Sequence, residues 1–82
     1  MREEVQALAD TLIKGIVLDE GCAYKLTSAA SSLAAAGATS MADAMRTQAR
    51  LHQVKALELR GKLAALADEY GARFPDAFRA DP

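Results

Sequence analysis

The chain contains no tryptophan, and only two tyrosines and two phenylalanines among its 82 residues. Core volume must therefore come from aliphatic side chains, yet nineteen residues are alanine, which fill little of it. A single cysteine, Cys22, excludes an intrachain disulfide framework. Neither sign of charge dominates: Lys+Arg number 10 and Asp+Glu 11, for a net charge of -1. That balance speaks against a basic nucleic-acid-binding face and against a polybasic membrane anchor. No run approaches the roughly 18 apolar residues of a membrane span. The opening Met1-Arg2-Glu3-Glu4 has acids where a signal peptide has a basic start and an apolar run. These features set the expectation of a cytoplasmic protein with no membrane or nucleic-acid partner. A chain of this length also buries only about 60% of its unfolded surface, so one small domain is marginal alone.

What is present is helical pattern. From Arg2 to Ala36 there is no proline, and most residues favour a helix. Steps of about 100° gather Val5, Leu8, Ala9, Leu12, Ile16, Ala23, Leu26, Ala30 and Ala34 on one face. Asp10 and Lys14 on the opposite face are spaced to pair across one turn. The apolar phase survives Gly15 and Gly21, which implies one long helix over 2–36, with Asp19-Glu20-Gly21 its weakest point. Gly37 then supplies a left-handed closing residue. Ser40, with Asp43 three residues on, reads as the cap of a second helix over 41–70. On that helix Met41, Met45, Ala56, Leu59, Leu63, Leu66 and Tyr70 share a face, Glu58 and Lys62 are spaced to pair, and Gly71 is a second stop. The short connection forces the helices antiparallel. The fold class is thus all-α, an antiparallel helical hairpin over 1–71 with a C-terminal tail over 72–82. Phe74 and Phe78 in that tail, around Pro75, either cap the hairpin or dock on another protein.

Both helices are apolar over more than the roughly 100° that one contact covers. Ile13, Val17 and Leu18 extend the face of the first, and Leu51, Val54 and Leu57 point away from the stripe of the second. Two hairpins pairing about a two-fold axis into a four-helix bundle would cover this surplus. The expected partner is therefore the chain itself, as a homodimer or higher oligomer.

A few polar residues interrupt the apolar faces. Asp19 falls near the middle of the first stripe and Glu20 at its edge, while Gln48 and His52 fall centrally on the second. Buried without partners these groups are costly. An Asp19–Lys55 ion pair and a Gln48/His52 hydrogen-bond cluster are the structural ways to satisfy them. The chemical alternative is a metal site in which a dimer contributes two copies each of Glu20 and His52, with Asp19, around its axis. Phosphotransfer through His52 fits less well, because the imidazole points to the apolar stripe and Ala56 stands on the following turn. Cys22 and the packing aromatics Tyr24 and Tyr70 carry no motif, and no glycine-rich phosphate loop or nucleophile elbow is present.

Leu12-Ile13, Asp19-Glu20, Tyr24, Arg50-Leu51-His52, Glu58-Leu59-Arg60 and the closing Tyr70-Gly71 together resemble a ferritin-like helical hairpin of the rubrerythrin and encapsulated half-ferritin type. The resemblance spans roughly residues 5 to 71. It implies that Glu20 is the metal-binding Glu of the first helix and His52 the histidine of Glu-x-x-His. Ala49 stands where that motif has its bridging Glu, a departure that removes the residue holding two metals together. The sequence therefore leads to two expectations. One is a small interaction or structural module without a cofactor, acting as a homo-oligomer and more a scaffold than an enzyme, with the Phe74–Phe78 tail as a binding element. The other is a reduced ferritin-like protein binding iron or manganese at a dimer interface.

Overall fold

A computed structural model describes residues 1–79. Helix α1 (Arg2–Ala35) and helix α2 (Thr39–Tyr70) run antiparallel, and a 3₁₀ turn, Pro75–Phe78, follows them. Among the described residues there is no strand, and no helix is long and apolar enough to cross a membrane. The all-α hairpin expected from the pattern is what forms. α1 passes through Gly15 and Gly21 without a break, because its buried face continues on both sides of them.

The turn between the helices is built by backbone hydrogen bonds. Gly37 adopts φ 84°, the left-handed conformation that a Cβ would disfavour. Its N–H donates to Ala34 O at 3.0 Å, and the Ala38 N–H donates to Leu33 O at 2.8 Å. This pair of bonds is the Schellman closure of a helix C-terminus. It leaves no spare residue, so α2 starts at Thr39, two residues before the expected start, and α1 ends at Ala35 rather than residue 36. Ser40 consequently lies inside the first turn of α2, and Ala38 holds the cap position without a side-chain hydrogen bond. Gly71 ends α2 as expected but in right-handed helical geometry, φ -61° and ψ -35°. Release there comes from Phe74, which leaves helical geometry before Pro75 (φ -133°, ψ 63°).

The seam has a repeat of seven. On α1 the buried positions Val5, Ala9, Leu12, Ile16, Asp19 and Ala23 alternate spacings of four and three, and the series reaches Ala30 through half-buried Leu26. On α2 the buried positions are Ala42, Ala49 and Ala56, with Met45, His52, Leu59 and Leu66 half-buried between and beyond them. Heptad spacing is the geometry of a coiled coil, here closed on itself by the hairpin. Alanine at every seventh residue of α2 lets the two backbones approach closely. Gly15 does the same from α1, since a Cβ there would lie 2.9 Å from Leu59 Cδ1. Leu8 and Met41, expected on the buried stripes, are exposed instead. A seam between only two helices is narrower than the apolar arcs, and these residues sit just outside it. The Asp10–Lys14 and Glu58–Lys62 pairs allowed by spacing do not close among the described residues.

The tail returns to the hairpin. Ala77 is buried and the 3₁₀ turn packs on α1. Phe74 stacks on Tyr70 with ring centres 6.4 Å apart, and the Arg73 guanidinium lies 5.1 Å from the centre of the Phe74 ring. Phe74 and Phe78 are both half-covered, so the described part of the tail caps the open end of the hairpin. Residues 80–82 of the tail assigned to 72–82 lie outside the described residues.

The whole measures 54 × 23 × 15 Å, two helices wide and about one helix thick. Its radius of gyration of 16.7 Å compares with about 12 Å for a compact domain of this length. Its accessible surface of 5730 Å² compares with about 4,700 Å² for a compact monomer of this mass.

Candidate functional site

Halfway along the hairpin, the apolar seam is interrupted by one polar layer. Asp19 occupies a heptad position of α1 between Ile16 and Ala23, and only 8% of it is exposed. Heptad spacing on α2 brings His52, between Ala49 and Ala56, to the same level. The His52 Nδ1–H donates to Asp19 Oδ1 at 2.8 Å. The carboxylate side chain is 11% exposed and the imidazole 33%, so the bond is shielded at its acidic end and open to water at the other. Among the described residues no buried side-chain polar atom is left without a partner, so Asp19 is satisfied although a carboxylate is costly to bury.

Two expectations are corrected here. Asp19 pairs with His52 and not with Lys55, which is exposed beside Ala56 on the flank, where its ammonium stays in water. Gln48 does not join His52 in a hydrogen-bond cluster. It too is exposed, because its neighbour Ala49 is the residue that enters the seam.

Glu20, the next residue after Asp19, faces one flank of the hairpin. Arg60 of α2 reaches it there, with Nη2 at 2.7 Å and Nε at 3.1 Å from the same oxygen, Oε2. Both side chains are about half exposed, so this fork contributes little to stability and mainly fixes two opposite charges side by side. Two shallow clefts open on that flank. One, of about 390 Å³, is lined by Glu20, Ala23, Tyr24, Thr27 and Gln53. The other, of about 290 Å³, is lined by Glu20, Gln53, Ala56 and Leu57. Tyr24 is not a packing aromatic: it stands exposed at the edge of the larger cleft. Cys22 is an exposed free thiol.

Of the candidate ligands, the structure joins Asp19 to His52 and turns Glu20 to Arg60. Among the described residues no three of His, Cys, Asp and Glu gather as a metal-holding group. Within one chain the donor set therefore does not fit an iron or manganese centre: two donors satisfy each other and the third is held by a guanidinium. The Asp19–His52 pair bears on helix register. A polar pair in a heptad seam is satisfied in only one alignment of the helices, since sliding either by a turn strands a carboxylate against alanine or leucine. Pattern reasoning missed Arg60, and it missed the sevenfold spacing of Ala42, Ala49 and Ala56 that defines the seam. The signal was present, but the larger Met41, which lies outside the seam, drew the stripe to one side. No family model, curated protein sequence or solved structure matches the chain.

Proposed function

We propose that this chain is a small helical interaction module that acts by self-association, a scaffold or adaptor rather than a catalyst. The observation that carries the reading is the surface left bare by a fold one helix thick. It exceeds that of a compact monomer by roughly 1,000 Å², and an ordinary interface buries about 800 Å² per partner. The excess is apolar where it counts. Val17, Leu18, Tyr24, Leu51, Val54 and Leu57 stand more than half exposed along the middle of the hairpin, far from the end that the tail covers. Helical hairpins combine into four-helix bundles through apolar residues of this kind, left outside the seam of each hairpin. The Asp19–His52 pair has a role in this reading, as the element that fixes helix register so that both flanks present their residues in one alignment.

Light scattering on the untagged chain across the micromolar range is the test. A folded particle of two or more chain masses is expected, and a folded single-chain particle at every concentration would refute self-association. Metal analysis of the same sample addresses the ferritin-like alternative, which requires Glu20 to leave Arg60 and His52 to serve a metal. Stoichiometric iron or manganese that disappears in His52→Ala would replace the scaffold reading with that one.

A further inference from the structure

The two flanks of the hairpin are not equivalent. On the flank that carries both mid-length clefts, recess and projection lie side by side. The clefts share Glu20 and Gln53, and around them stand Tyr24 (75% exposed), Leu57 (67%) and Val17 (63%). A surface that meets its own copy about a two-fold axis must contain both the knob and the hole, because each residue contacts its counterpart's neighbour reciprocally. It must also be electrically self-complementary. Glu20 and Arg60 satisfy that condition: they are opposite charges held 2.7 Å apart on the same flank. Rotation by 180° brings each acid towards the other copy's cation.

The opposite flank lacks this symmetry. Its cleft, lined by Leu8, Lys62, Leu66 and Glu69 among others, sits towards the open end of the hairpin. At mid-length it offers Lys55 and exposed Leu51, and among the described residues no acid–guanidinium pair closes there.

We infer that the flank bearing Val17, Glu20, Tyr24, Gln53, Leu57 and Arg60 is an isologous interface for a second copy of this chain. The two-fold axis passes between the Glu20 carboxylate and the Arg60 guanidinium, so that each acid faces the other copy's cation. Tyr24 or Leu57 of one copy enters a cleft of the other, and the two Glu20–Arg60 pairs merge into a four-membered network. The assembly is a four-helix bundle two helices thick. This inference rests on the self-association reading above and adds which surface carries it and how. The roughly 1,000 Å² excess surface matches what one such interface removes from each copy.

Sedimentation equilibrium of the full chain and four variants tests it, with helix content by circular dichroism confirming that each is folded. Leu57→Glu and Arg60→Glu alter the inferred interface, and Leu51→Glu places the same new charge on the helix surface away from it. The fourth, Glu20→Arg with Arg60→Glu, reverses both charges and restores the network. The single changes at residues 57 and 60 are expected to weaken dimerisation by roughly a hundredfold or more, while the charge swap recovers most of it and Leu51→Glu leaves it unchanged. A dimer that survives Leu57→Glu but dissociates in Leu51→Glu overturns the choice of flank and leaves self-association standing. A wild-type chain that sediments as a monomer throughout overturns both.

Discussion

Removing the imidazole of His52 should cost more than removing the carboxylate it binds. In His52→Ala, Asp19 keeps its place in the seam, with its side chain 11% exposed, and loses the group that donates to it at 2.8 Å. The carboxylate must then find water through the gap or stay unpaired. A hydrogen bond to a charged group is worth about 1.5–3 kcal/mol, and a stranded buried acceptor costs a similar amount. Because the imidazole is 33% exposed, water reaches the gap and holds the total near 2–3 kcal/mol, below the 3–5 kcal/mol typical of a fully buried pair. Asp19→Ala loses the same bond but removes the costly buried charge, and His52 can turn to solvent, so about 1 kcal/mol is expected. Replacing both by leucine restores an apolar heptad layer and should be neutral or stabilising. The assay is urea denaturation followed by helix signal, at one fixed protein concentration because association adds to stability. With a slope of about 1 kcal/mol per molar urea for a small domain, His52→Ala should lower the midpoint by roughly 2 M. If Asp19→Ala proves the more damaging, or if His52→Ala changes stability by less than about 0.5 kcal/mol as a surface substitution does, the pair is not a satisfied polar layer and the reasoning fails.

Other consequences are as direct. Gly21 and Gly61 lie inside helices, and a Cβ at either meets nothing within 4 Å. Gly21→Ala and Gly61→Ala should each stabilise by about 1 kcal/mol, which thermal melts would read as a rise of roughly 4–8 °C. Gly37→Ala should destabilise by about 1 kcal/mol or more, because φ 84° is strained for any residue with a side chain; the same melts would detect it. Ala49→Leu forces added volume into a seam position only 3% exposed and should cost about 1–3 kcal/mol in urea titrations, whereas Ala44→Leu on the exposed face of α2 should be within about 0.5 kcal/mol of wild type.

The amino-acid sequence alone determined the hairpin. An unbroken helical period without proline, a glycine at residue 37 and a second helical run leave few other arrangements. It also singled out Asp19, Glu20 and His52, since charged or imidazole groups on an apolar stripe demand partners whatever the fold. Only tertiary structure decided which partners. Helical periodicity fixes a residue's angle to within a few tens of degrees, and the difference between seam and flank is no larger than that. So Lys55 and Gln48 fell outside, Leu8 and Met41 were left exposed, and Ala42 and Ala49 went in, once the spacing of small residues had set how closely α1 and α2 approach. The Glu20–Arg60 fork joins residues forty apart in the chain, and no local pattern encodes that distance. It follows from the register of the two helices, which the Asp19–His52 layer holds at mid-length and the tight turn at Gly37 holds at one end.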